Sequence, residues 1–136
     1  MAKKVRTKSL FPSTPKEHIR QLVEWMSQGV FEKDQIIAVA LLCAVAGENM
    51  FLLGPPGTAK SMVASRLKMV FKGGKSFDYL MSRFSTPDEI FGPISISRLK
   101  NDDLYERLTA GYLPEADVVF LDEIWKAGPS IQNTLL

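Results

Sequence analysis

A single cysteine, a single histidine and the absence of any long apolar run set the first limits on this sequence of 136 residues. With Cys43 alone no internal disulfide is possible, and its place inside an apolar stretch marks it as a small buried core residue rather than a reactive thiol. Together these features suggest a reducing cytosol. His18 has no second ligand candidate nearby, so its default reading is a solvated helix residue. The longest apolar run, IIAVALLCAVA from Ile36 to Ala46, holds 11 residues. A membrane-spanning helix needs roughly 20, so the run reads as a buried helix and no membrane segment is expected.

Charge of one sign is also scarce. Lysine and arginine total 17 against 15 acids, a net charge of +2, which gives no argument for nucleic acid or an anionic membrane as partner. Four of the cations, Lys3, Lys4, Arg6 and Lys8, crowd the start, and residues 1–13 read as a flexible basic arm. No apolar core follows that arm, so it is not a secretory signal. What is present is 46% hydrophobic and 24% charged residues, enough for one globular domain, or part of one, that buries about two thirds of its unfolded surface.

The first helix is expected in TPKEHIRQLVEWMSQG. Thr14 caps the first turn with Glu17 three positions on, Pro15 suits the first helical slot, and Gly29 ends the helix. Ile19, Leu22, Val23 and Met26 then share one face, while Trp25 is read as packing. A short link, VFEKD, leads to the apolar helix, which Gly47 closes. Next comes MFLL, Met50 to Leu53, a continuous apolar run that reads as a central strand buried on both faces. A helical pattern follows in SMVASRLKMVF and breaks at Gly73 and Gly74.

Between that strand and that helix stands GPPGTAKS, which departs from the usual phosphate-loop pattern only in having Ala59 before Lys60. Gly54 and Gly57 let the backbone bend around an anion, with Pro55 and Pro56 stiffening the turn. Consecutive amides through Thr58 and Ala59, together with the helix N-terminus, supply positive potential. Lys60 reaches the terminal phosphates, and Ser61 offers a hydroxyl to Mg²⁺. A plain Gly/Pro turn is the bland alternative. Ala59 is expected to have negative φ at the start of the helix, where alanine in place of glycine is tolerated.

A phosphate loop needs an acid for its metal, and DVVFLDE supplies one. Val118 to Leu121 form an apolar strand, and Asp122 and Glu123 emerge at its carboxyl end. Asp122 would hold Mg²⁺ and Glu123 would position and deprotonate the attacking water. Such a pair after an apolar run is weak by itself. Its distance from Lys60 leaves room for one helix, one strand and a crossover, which makes the combination stronger.

GPPGTAKS, then FSTPDEIFGP, then GYLPEADVVFLDEIWKAGPSIQNTLL resemble the AAA+ ATPases of the MoxR branch, closest to RavA-type members, from about Gln28 onward. The resemblance implies an α/β P-loop fold: a three-layer parallel sheet with helices on both faces, here incomplete at its C-terminal end. On this reading residues 14–136 form the N-terminal portion of the ATPase domain, with sensor 1, arginine finger and lid absent. It also implies ATP and Mg²⁺ as cofactors, a homo-hexameric cytoplasmic ring that remodels protein complexes, and partners containing von Willebrand factor A domains.

The same resemblance places Val30 and Phe31 of GVFEK beside adenine, although an ordinary interhelix turn fits as well. SFDYLMSRF becomes the second strand, with Ser82 or Arg83 near the γ-phosphate. ISISRLKNDDLYERL alternates apolar and polar residues around Lys100 to Asp103 and reads as a hairpin. In the family such a hairpin projects toward the ring's pore. Lys126 falls near a subunit contact or the edge of the site, and Trp125 reads as packing. Two other classes stay open: a nucleotide-binding or interaction module without turnover, and another AAA+ role such as a metal-chelatase motor subunit or a DNA-associated initiator.

Overall fold

The computed structural model describes residues 14–55 and 57–135. The basic arm over residues 1–13 and Pro56 of the loop therefore lie outside the described residues. The chain divides after Val70 into two units, each with a core of its own.

The first unit is helical. Helix α1 (Pro15–Ser27) starts as its sequence directs: Thr14 Oγ1 accepts from the Glu17 amide at 3.2 Å, and Pro15 fills the first slot. Met26 is buried on its inner face with Leu22 and Val23 packed beside it, while Ile19 and Trp25 remain exposed. Helix α2 (Asp34–Ala46) ends at Gly47, which is left-handed with φ 73. Helix α3 (Lys60–Val70) contributes Val63 to the same core, alongside Ile37, Ala40 and Leu41 of α2. Arg66 of α3 donates to the Met26 carbonyl at the end of α1, tying the two helices.

Two expectations for this unit need correcting. The apolar helix is buried on one face only: Val39, Leu42 and Val45 lie outside, and Cys43 is half-buried. A run that is apolar all round cannot bury every face against just the two helices that flank it here. MFLL is not a strand. Met50 packs on the core, but Phe51 and Leu53 are exposed and the segment has no ladder among the described residues. An extended segment becomes a strand only when a neighbour supplies backbone partners.

The second unit holds a two-stranded parallel sheet of β1 (Ser76–Leu80) and β2 (Val118–Asp122), paired in register from Ser76 opposite Val118 to Leu80 opposite Asp122. Parallel pairing needs a long crossover, and the chain supplies α4 (Pro87–Phe91), α5 (Ile96–Asp102) and a 3₁₀ turn at Leu113–Glu115. The strand starts are pinned: the Lys75 amide donates to Asp117 Oδ2 at 2.8 Å and Lys75 Nζ lies 3.0 Å from Glu115. That ammonium is the main reason the Glu115 carboxyl is held below its usual range, with the Thr109 hydroxyl adding a second bond. Beyond β2 come a 3₁₀ turn at Ile124–Lys126 and helix α6 (Pro129–Leu135). Met81, Ile90, Phe91, Ala127 and Ile131 form the core, packed by Phe77, Tyr79 and Leu121 of the strands. This is an α/β arrangement with parallel pairing.

The expected hairpin at 94–108 is corrected in its interior. Its ends do approach antiparallel, with Ile94 bridged to Arg107 and the Ser95 amide donating to the Glu106 carbonyl at 2.8 Å. Between them the chain forms α5. Buried Ser95 caps it by accepting from the Arg98 amide, Arg98 pairs with Asp102 one turn on, and Asp103 closes it in the left-handed region. These local bonds outcompete a ladder that would have had no third strand to lean on. Arg107 ties the base of the excursion to Asp88 and to the Gly92 carbonyl.

Candidate functional site

The loop before α3 is built from two left-handed residues. Gly57 has φ 80, as its lack of Cβ allows, and Ala59 has φ 61. The expectation that Ala59 would keep negative φ is overturned. The chain has to reverse its curvature at 59 so that its carbonyl can accept the Val63 amide at 3.0 Å and start the helix. For a non-glycine residue that conformation costs about 1–2 kcal/mol, a strain of the kind that persists at ligand-binding turns.

Two side chains knit the loop. Thr58 Oγ1 donates to the Pro55 carbonyl at 2.8 Å, and Lys60 Nζ donates to the Gly54 and Pro55 carbonyls at 2.7 and 2.9 Å. The ammonium is thus folded back over the mouth of the turn. A hollow of about 140 Å³ opens beside it, lined by Gly54, Pro55, Thr58 and Lys60 from the loop and by Lys33 and Ile36 from the start of α2. Ser61 is exposed at the first turn of α3. Val30 is half-buried, Phe31 is 90% exposed, and neither lines this hollow. Lys33 and Ile36 were not singled out from the sequence. Lys33 ends the GVFEK segment that the adenine expectation had placed near the loop, whereas Ile36 was read only as the first residue of the apolar helix run.

In the second unit, a separate group of candidate residues stands at the carboxyl end of β2, the end at which open parallel sheets bind their ligands. Asp122 pairs with Leu80 in the ladder, and its Oδ1 accepts the Glu123 amide at 2.9 Å. That leaves Oδ2 as a hard oxygen donor of the kind Mg²⁺ prefers. Glu123 itself is left-handed, φ 53 and ψ 40, which turns the chain from the strand into the 3₁₀ turn. Its carboxylate pairs with Lys126. Ser82, Arg83, Phe84, Glu123 and Lys126 share a hollow of about 540 Å³, with the Arg83 guanidinium stacked 4.9 Å above the Phe84 ring.

Among the described residues no group of three or more His, Cys, Asp or Glu side chains gathers to form an all-protein metal cage. No described helix is long and apolar enough to cross a membrane.

Comparison with known proteins identifies the family of the chain. Residues 17–136 match the family described as the MoxR domain in the MoxR-vWA-beta-propeller ternary systems. Two uncharacterised proteins of Methanocaldococcus jannaschii are each 40% identical over 118 residues, covering 87% of this chain and 31% of their own length. A structural protein of Acidianus two-tailed virus is 32% identical over 130 residues, covering 88% of this chain and 21% of its own. The chain thus spans less than a third of the length of these relatives. With a match over nearly all of its described residues, the chain belongs to the MoxR family of AAA+ ATPases.

Proposed function

We propose that this chain binds ATP with Mg²⁺ and supplies the phosphate-binding and metal-binding halves of an ATP-hydrolysing centre that drives remodelling of protein complexes. The observation that carries the reading is the loop from Gly54 to Ser61. Its left-handed residues at 57 and 59 curl the backbone ahead of the α3 N-terminus, and the Lys60 ammonium lies across its mouth. A left-handed turn leading into a helix N-terminus, with one cation across it, has the parts of a polyphosphate cradle.

In this mechanism Gly54, Pro55, Pro56, Gly57, Thr58 and Ala59 wrap the phosphates through their backbone. Lys60 exchanges its bonds to the Gly54 and Pro55 carbonyls for phosphate oxygens. Ser61 and Asp122 would hold Mg²⁺, which neutralises charge on the transferred phosphoryl group. Glu123 accepts the proton of the attacking water. Val30, Phe31, Lys33 and Ile36 are the candidates beside the base. The complete P-loop architecture, a three-layer parallel sheet, belongs to the same proposal, as do a homo-hexameric ring and a cytoplasmic location. A partner carrying a von Willebrand factor A domain follows from the ternary systems for which the family is described.

The test is a pair of substitutions in the intact protein. Lys60→Ala abolishes binding of a fluorescent ATP analogue, whereas Glu123→Gln binds it and converts none to ADP. Unchanged binding in the first variant removes the phosphate-loop reading, and wild-type turnover in the second removes the assigned base.

A further inference from the structure

We infer that Lys126 is a positioning residue for Glu123, the third member of a water–carboxylate–ammonium chain; this inference rests on the ATPase reading above. A glutamate has three side-chain torsions, and a base that wanders among rotamers spends little time in line with its water. Catalytic bases are accordingly oriented by a third group in many enzymes. In this chain the backbone supplies the orientation in two steps.

The left-handed conformation of Glu123 starts a 3₁₀ turn directly after β2, in which the Lys126 amide donates to the Glu123 carbonyl at 2.9 Å. Glu123 is the left-handed N-cap of that turn and Lys126 its last residue, and across this one turn the ammonium meets Glu123 Oε2.

Two observations separate positioning from simple stabilisation. The side chains of Glu123 and Lys126 are 34% and 49% exposed, and ion pairs this open contribute little to folding. The turn also holds without the ammonium, through the Lys126 and Ala127 amides bonded to the Glu123 and Ile124 carbonyls. Arg83, the other cation lining the same hollow, is committed to the Phe84 ring, which leaves Lys126 as the cation on the carboxylate among the described residues.

The experiment compares Lys126→Met and Lys126→Arg with the parent in the intact protein, following ATP turnover and binding of a fluorescent ATP analogue. Expected is a drop in kcat of about tenfold for Lys126→Met with KM for ATP unchanged, since orientation alone is lost. Lys126→Arg, which keeps a cation at i+3, recovers most of it. An unchanged or raised kcat in Lys126→Met overturns the inference, as does an arginine variant that binds the analogue normally but turns over no faster than the methionine one. Absence of turnover in the parent, or wild-type turnover in Glu123→Gln, defeats the ATPase reading or its base, and the inference with it.

Discussion

The backbone amide of Glu123 holds Oδ1 of Asp122 at 2.9 Å, so the two adjacent acids at the end of β2 are not equivalent. One has an oxygen committed to the turn and a second free for a cation, while the other carries its carboxylate out to Lys126. Asp122→Asn keeps an oxygen for that amide and removes the negative charge. The expected outcome is an intact fold by thermal denaturation together with a Mg²⁺ requirement raised about 10–100-fold, the usual cost of losing a group that orients a bound metal. Unaltered Mg²⁺ dependence in ATP-analogue binding would contradict the assignment.

Gly92 is required by its surroundings rather than by its sequence neighbours. It has φ +92, and a Cβ built there would lie 2.0 Å from the Leu108 carbonyl oxygen and 2.9 Å from the Leu108 carbonyl carbon. Gly92→Ala must therefore break the approach of the α5 excursion to α4, including the bond from Arg107 to the Gly92 carbonyl. At φ 92 and ψ 150, a region essentially reserved for glycine, a Cβ costs about 1–3 kcal/mol, and forced overpacking about 1–3 more. A loss of at least about 2 kcal/mol in denaturant unfolding is expected, and a variant as stable as the parent would show that the excursion does not hold this position.

How much of this was legible in the sequence depended on whether the deciding interaction was local. The Thr14 cap, Pro15 and the Gly47 stop all act within one helical turn, and α1 starts and α2 ends where they indicate, while α1 stops at Ser27, short of the expected Gly29. Val118 to Leu121 was readable as a strand because an apolar run ended in two acids, and β2 runs one residue further, through Asp122. The excursion was misread because alternation over 94–108 mimics a hairpin, while the Ser95 cap and the Arg98–Asp102 pair tip the balance toward helix. The sign of φ at Ala59 is set by how the loop must enter α3, which no residue type announces. Met50 to Leu53 carries strand composition, yet pairing depends on a neighbouring strand. The Glu123–Lys126 pair is visible as i,i+3, but its alignment depends on a left-handed residue that glutamate does not signal.

Glu89 links strand β1 to helix α4 and makes the second unit sensitive to acid. Its Oε2 accepts the Thr86 amide at 2.8 Å, the Tyr79 hydroxyl at 3.0 Å and the Thr86 hydroxyl at 3.1 Å. Those bonds, the Thr86 amide first, hold its carboxyl below the ordinary value of 4.5. A folded value below the unfolded one means the contribution is present above about pH 4.5 and is lost as pH falls through the folded value. Denaturation of the parent and of Glu89→Gln should therefore give curves that converge on acidification, the parent losing its advantage below about pH 4.5. Glu115, lowered in both proteins, cancels from the difference. Parallel curves would show that Glu89 contributes nothing that titrates.

Ala59 offers the sharpest separation of stability from function. Its φ of 61 costs about 1–2 kcal/mol for a residue with a Cβ, and glycine would relieve that strain. Glycine also carries about 0.5–1 kcal/mol of extra unfolded-state entropy, so the net expectation for Ala59→Gly is a gain of about 0.5–1 kcal/mol. In a chain of this size that raises the thermal midpoint by roughly 2–4 °C. Substitution by valine at the same position adds β-branching to a left-handed residue and should lose more than the glycine variant gains. If the glycine variant were less stable than the parent, the left-handed turn before Lys60 would not be the conformation of this loop in solution. If it were more stable and bound the ATP analogue as tightly, alanine at this position would be a tolerated strain rather than one that the phosphate cradle requires.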